Sequence, residues 1–259
     1  MRNIAAIAGK EMRAYFASPI GYVLIGLFSL LFGYFFYVYL MIFNQQSQQA
    51  MQFGQPGGAN INQMMIRGLF QNAAVIILFV MPMITMRTYS EEKRSGTIEL
   101  LLTSPVTDLE IILGKFFGSL ALYAAMLLVT VLYMVMLFKI SNPEWRPIVA
   151  GYLGLLLMGS CFLSTGLFIS SLTRNQIVAG FLTFATFLLL WIVNWIGESS
   201  GPTTQAVVSY LSITEHLDDF VRGIIDTKHV VYSLTFFFSD FFLPPGPCTT
   251  GPGGDDGIC

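Results

Sequence analysis

The sequence predicts an all-α integral membrane protein, a six-span helical bundle with an N-terminal interfacial helix. Of its 259 residues, 54% are hydrophobic and only 11% are charged, whereas a soluble domain carries about 25% charged residues. The mean hydropathy is +0.67. The charges are clustered along the chain, and the uncharged stretches between them are long enough for helices to cross a hydrocarbon core of about 30 Å.

The first element is a helix predicted over residues 3–18, ended by Ser18-Pro19 because proline disfavours helix in the residue before it. One face is apolar and consists of Ile4, Ile7, Ala8, Met12, Tyr15 and Phe16. Lys10 and Arg13 lie on the other side, which is typical of a helix lying in the membrane interface. A solvated helix is the alternative interpretation.

Glu11 departs from this pattern, because it falls on the apolar face of the N-terminal helix. A carboxylate in an apolar setting needs a partner. The expected partners are Arg87, Lys93 and Arg94, since both segments are expected at the same side of the membrane.

Six apolar segments are candidate spans, at residues 20–43, 68–86, 109–138, 148–172, 177–196 and 230–243. Pro82 should bend the second, and Thr107 with Glu110 forms a capping box before the third. The third would be about 45 Å long, so its first two turns, up to Lys115, are expected to project from the membrane. The glycines and serines of the fourth should let neighbouring helices approach closely.

The sixth segment is short or aberrant. It is apolar only from Val230 to Leu243 and contains Asp240, and about 21 Å of helix does not span the core comfortably. Residues 244–259 are rich in Pro and Gly without a Lys or Arg, and are predicted to be disordered. An altered reading frame from about Ser239 is the favoured explanation, and a short re-entrant end is the other. Residues 1–243 are therefore predicted to form a single transmembrane domain.

Basic residues near the span ends predict a cytoplasmic N-terminus. In this orientation the cytoplasmic side carries eight of them, Arg2, Lys10, Arg13, Arg87, Lys93, Arg94, Lys115 and Arg174. The opposite side carries five, Arg67, Lys139, Arg146, Arg222 and Lys228. Residues 198–227 then lie outside, where a capping box and an amphipathic pattern predict a short helix on or in the outer membrane surface. An ordinary surface helix would show the same pattern.

Several functions are disfavoured by what the sequence lacks. The centres of the first five spans contain no Asp, Glu, His or Arg, which argues against an ion-coupled carrier. No GxxxxGK[ST] loop is present, so the chain is not expected to bind ATP itself. No catalytic group, metal-ligand spacing or nucleic-acid footprint is found.

The longest cytoplasmic connection is the most informative stretch. Ser90 can cap a helix over residues 91–104, with Glu91 and Glu92 in its first turn and leucines near its end. Such a helix could dock into a groove on a soluble partner. A simple helical turn between spans would show the same pattern.

Three segments resemble the membrane subunits of type-2 ABC exporters. They read EKRSGTIELLLTSPV at residues 92–106, GKEMRAYFASP at residues 9–19 and GIIDT at residues 223–227. The likeness covers roughly residues 1–238. Within the family the chain looks most similar to gliding-motility permeases, with the permeases for nitrous-oxide-reductase maturation as cousins.

The resemblance implies a permease in the bacterial cytoplasmic membrane, in which two such subunits, identical or homologous, enclose the pathway within membrane lipid. A separate subunit would bind ATP and Mg and act on a coupling helix that includes Glu91, Glu92, Lys93, Arg94, Gly96, Thr97, Glu99, Leu100 and Leu101. The interfacial helix would contribute Lys10, Glu11 and Arg13, and an outer gate would contribute Leu217, Phe220, Gly223 and Ile224. The alternative function is a non-transporting membrane anchor that docks cytosolic machinery through residues 91–104.

Overall fold

The structure, a computed structural model, describes residues 2–52, 65–90, 107–141, 143–173, 175–198, 217–218 and 220–221. In this part of the chain there is no strand. Its helices are α1 (Arg2–Ala17), α2 (Pro19–Gln52), α3 (Arg67–Thr85), α4 (Asp108–Ile140), α5 (Trp145–Leu172) and α6 (Gln176–Glu198). The predicted sixth span at residues 230–243 and the tail at 244–259 lie outside the described residues.

Four of these helices are long and apolar enough to cross a membrane: α2, α3, α4 and α5. Many large apolar side chains lie on the outside of the bundle, among them Leu30, Leu128 and Phe181, which are 67%, 71% and 74% exposed. Soluble monomers rarely expose apolar surface on this scale, whereas the hydrocarbon of a bilayer covers it. The chain is therefore a multi-pass, all-α membrane protein.

The helix ends follow local chemistry. Ser18 separates α1 from α2, and Pro19 opens α2 at a position where a missing N–H costs nothing. The predicted capping box is present at the start of α4: Thr107 Oγ1 accepts from Glu110 N–H at 3.4 Å, and Thr107 N–H donates to Glu110 Oε2 at 3.3 Å. α2 continues to Gln52, beyond the apolar segment that ends at residue 43.

α3 lies at the centre of the bundle, in contact with α2, α5 and α6. Twelve of its residues are buried, which explains why it is apolar around most of its circumference. α4 packs against α1, α2 and α5. The predicted close approach through small residues of α5 is confirmed, because Gly151, Gly159 and Gly166 lie directly against Phe70, Tyr123 and Thr85.

Candidate functional site

After α3 the chain turns through residues 86–90, and we call the last three of them, Thr88, Tyr89 and Ser90, the loop root because they lead into residues 91–106. α3 ends at Thr85, and Thr88 N–H donates to the Thr85 carbonyl at 3.2 Å. Thr88 and Ser90 are only 5% and 0% exposed. The loop root is therefore a buried turn, and its neighbours determine where the chain goes next.

Lys115 of α4 is the charged group that contacts the loop root. Its Nζ donates to the Thr88 carbonyl at 2.8 Å and to Glu11 Oε1 at 3.1 Å. The same atom lies 4.9 Å from the centroid of the Tyr89 ring, within the range of a cation–π contact. The side chain of Lys115 is 1% exposed and that of Glu11 is 13% exposed. A cation this deeply buried is tolerated because a carboxylate, a carbonyl and an aromatic ring surround it.

Tyr15 of α1 makes a second contact with the loop root. Its hydroxyl donates to the Ile84 carbonyl at 3.3 Å and lies 3.3 Å from Thr88 Oγ1 and 3.4 Å from Ser119 Oγ. Burial is the largest influence on this hydroxyl and raises the pKa of Tyr15, because a phenolate would lose its hydration. Tyr15 therefore stays protonated and serves as a hydrogen-bond donor between α1 and the end of α3.

Ser170 of α5 fixes the loop root from the other side. Its Oγ accepts from Tyr89 N–H at 3.3 Å, lies 3.1 Å from Ser90 Oγ and donates to the Met86 carbonyl at 3.4 Å. Ser90 and Ser170 are both completely buried. One hydroxyl thus satisfies polar groups that would be costly to leave unpaired in an apolar bundle.

The chain that returns from residues 91–106 is also held by α1. Thr107 caps α4, and the Glu110 carboxylate of that capping box accepts from Asn3 Nδ2 at 3.1 Å. Asn3 lies near the start of α1, whereas Glu11 and Tyr15 lie in its second half. Both flanks of residues 91–106 therefore contact the same short helix.

A glycine notch on α4 brings α1 close enough for these contacts. Methyl groups added at Gly114 and Gly118 would lie 2.6 Å from Cβ of Ile7 and 2.6 Å from Cβ of Glu11. This G-x-x-x-G spacing is the arrangement that lets two helices in a membrane pack with their backbones in near contact. Because Lys115 follows Gly114 directly, the notch brings Glu11 within reach of the ammonium group.

A second polar contact lies at the opposite end of α3, about 28 Å away along the helix. Arg67 forms a bidentate ion pair with Asp218, in which Nε lies 2.6 Å from Oδ1 and Nη2 lies 2.8 Å from Oδ2. Gln71 Nε2 adds a third hydrogen bond to Oδ1 at 3.1 Å. The two paired side chains are 39% and 18% exposed, so water screens this pair more than it screens Lys115.

Two of the four residues expected in an outer gate are described. Leu217 and Phe220 are both 3% exposed, and they lie against Gly154 of α5. Gly223 and Ile224 lie outside the described residues. The segment that carries Asp218 is therefore packed between the start of α3 and the first half of α5.

The expected coupling residues at 91–101 lie outside the described residues as well. On α1, Lys10 and Arg13 are exposed. Glu11 is paired, as its position on the apolar face requires, but the partner that the structure gives it is Lys115. Of the expected partners, Lys93 and Arg94 lie outside the described residues.

Sequence reasoning did not identify Lys115, Ser119 and Ser170 as part of this site. The sequence predicts Lys115 at the end of turns that project from the membrane, where it is one of the basic residues that set the orientation. The available signal was the spacing Gly114-x-x-x-Gly118 around a lysine in an otherwise apolar stretch. No comparable signal existed for the serines, because a single serine in a membrane helix usually bonds its own backbone.

In the described part of the chain, no group of three or more His, Cys, Asp and Glu residues could hold a metal ion. A comparison with curated proteins finds no match. A family model described as ABC-2 family transporter protein matches residues 5–239, which is most of the chain and includes both polar contacts. The chain therefore belongs to the ABC-2 transporter family.

Proposed function

We propose that this chain is the membrane-spanning permease subunit of an ABC-type exporter and that a separate ATP-binding subunit drives it. The family membership supports the permease function and an ATP-binding partner in general. ATP and Mg would then bind to the partner and not to this chain. The partner would act on residues 91–104, which connect α3 to α4.

The observation that carries this proposal is the fixation of the loop root. Thr88 is held by Lys115 and Tyr15, and Ser90 is held by Ser170. A force applied to residues 91–104 would therefore act on α1, α4 and α5 at once. A loop that only connected two spans would not need such attachments, and its polar groups would be satisfied by water.

The remaining parts of the proposal follow the resemblance. The N-terminus and residues 91–104 would lie in the bacterial cytoplasm, with α1 in the inner interface of the cytoplasmic membrane. A second permease subunit, identical or homologous, would complete the pathway, and residues 198–227 would form the outer gate. A sixth span would complete the bundle, and the chain would belong to the gliding-motility branch.

The test is a charge reversal at Glu99. The tagged chain is purified from host membranes, and the co-purifying ATP-binding subunit and its ATP hydrolysis are measured. Glu99→Lys should lower both while membrane insertion stays normal, because it reverses a charge on the docking surface. Glu144→Lys, an exposed residue at the start of α5, is the matched control and should change neither.

Normal co-purification and hydrolysis with Glu99→Lys would refute the coupling role of residues 91–104. The alternative, a membrane anchor without transport, also requires docking and predicts the same loss. ATP-driven movement of cargo in proteoliposomes separates the two, because an anchor moves none.

A further inference from the structure

We propose that Lys115 is the positioning residue of the loop root, where it sets the direction in which the chain leaves α3. The proposal rests on the proposed function, since it assigns a role in coupling. Its physical content concerns only the described residues and can be tested on the chain alone.

Lys115 contributes something that stability alone does not explain. A buried ion pair gives about as much stability as apolar side chains of the same volume, because desolvation offsets the attraction between the charges. The pair of Lys115 and Glu11 is therefore not explained by stability alone. What an apolar pair could not supply is the N–H that Lys115 donates to the Thr88 carbonyl at 2.8 Å.

The ammonium group of Lys115 reaches two other elements of the chain at once. An ammonium group has three N–H donors that diverge from one atom. One reaches Glu11 on α1, and another reaches the carbonyl of Thr88 in the loop root. Lys115 itself belongs to α4, so a single nitrogen joins three elements of the chain. The position of the loop root is thereby fixed relative to α1 and α4.

α1 connects the ion pair of Lys115 to α2. This helix lies in the notch of Gly114 and Gly118 and is joined to α2 through one residue, Ser18. A displacement of the loop root that pulls on Lys115 and Glu11 therefore acts on α1 and, through the short connection, on the first residues of α2. Lys115 connects the coupling segment to a membrane-spanning helix that is distant from it in sequence.

The experiment separates the ion pair from the hydrogen bond to Thr88. Hydrogen exchange is measured on the full-length chain in lipid nanodiscs, at the amides of Thr88 and Tyr89 and along α1. In Lys115→Met the two root amides should exchange about ten- to hundredfold faster, as expected for loss of a buried charged hydrogen bond. The amides of α1 should also lose protection, because Glu11 is left without its described partner.

The decisive variant exchanges the two charges, Glu11→Lys with Lys115→Glu. It restores opposite charges between α1 and α4, but a carboxylate at residue 115 cannot donate to the Thr88 carbonyl. Protection of α1 should return, while Thr88 and Tyr89 should still exchange about tenfold faster than in the parent chain. If both regions regain parental protection, Lys115 acts only as an ion-pair partner and the proposal is wrong.

Comparing the charge-swapped double variant with the parent chain tests the proposal even if Lys115→Met does not fold. A failure of the proposal for Lys115 can also be distinguished from a failure of the proposed function. Exchange is measured without the ATP-binding subunit, whereas the Glu99→Lys experiment depends on that subunit. If Lys115→Met speeds exchange at Thr88 but leaves ATP hydrolysis by the purified complex unaltered, Lys115 only stabilises the fold and its proposed role in coupling is wrong.

Discussion

Replacing Gly118 by alanine tests whether α1 depends on the glycine notch of α4. The added methyl group would lie 2.6 Å from Cβ of Glu11, 3.3 Å from the Ala8 carbonyl oxygen and 3.4 Å from Cγ of Glu11. Carbon atoms in contact prefer a separation of about 3.5–4.0 Å. The two nearest atoms are a Cβ and a backbone oxygen, which cannot rotate away, so α1 would have to move by about 1 Å.

The size of the effect follows from two opposing contributions. Alanine favours the helix over glycine by about 1 kcal/mol, and overpacking costs about 1–3 kcal/mol. Gly26→Ala is the matched control, because Gly26 lies in α2, outside the helix whose exchange is measured, and an added methyl group there meets nothing within 4 Å. Both variants gain the same helix propensity, so their difference isolates the packing contribution of about 1–3 kcal/mol.

The assay is hydrogen exchange of the α1 amides in nanodiscs, which reports the free energy of opening this helix. Relative to Gly26→Ala, Gly118→Ala should speed exchange by about 5- to 150-fold, the factor that corresponds to 1–3 kcal/mol. The Glu11 contact with Lys115 should weaken along with it, because α1 moves away from α4. Equal exchange in the two variants would refute the view that the notch positions α1.

Two further predictions concern contacts away from the loop root. Asp218→Asn should destabilise the chain by about 1 kcal/mol, because it removes one charge of a partly exposed pair with Arg67. The loss should shrink at high salt, and a loss independent of salt would contradict this. Tyr123→Phe should cost about 1 kcal/mol in thermal unfolding, because it removes a donor to the Leu155 carbonyl at 2.6 Å. The control Tyr22→Phe, at an exposed position, should change nothing, and equal effects of the two variants would speak against this contact.

Much of the helix layout could be predicted from the sequence, because the hydrocarbon of the bilayer acts as the solvent and selects long uncharged segments. α3, α5 and the capping box of α4 lie within a few residues of their predicted positions. The end of α2 did not follow this rule. Its last turns are rich in glutamine, which favours a helix almost as well as leucine and yet leaves no apolar pattern to recognise.

The partner of Glu11 could not be predicted in the same way. The prediction used the side of the membrane on which basic residues were expected, and this criterion does not say which helices pack together. Lys115 and Glu11 are 104 positions apart, and their contact depends on a crossing of two helices that neither helix specifies alone. Sequence reasoning could establish that Glu11 needs a partner, and the packing of α1 on α4 determines which residue it is.

The surroundings of Lys115 could not be predicted from the length of α4 either. α4 is longer than a membrane core requires, so the sequence predicts that its first two turns, up to Lys115, project from the membrane on the cytoplasmic side. Such a projection would not by itself bring Lys115 into water, because α1 packs against this part of α4 and the Lys115 side chain is only 1% exposed. A lysine beside two glycines of a packing motif is best treated like an intramembrane charge, as a group that needs a defined partner. In this chain the partners are the carboxylate of α1 and the carbonyl of the loop root, which is why the site lies where the helices meet the connecting segment.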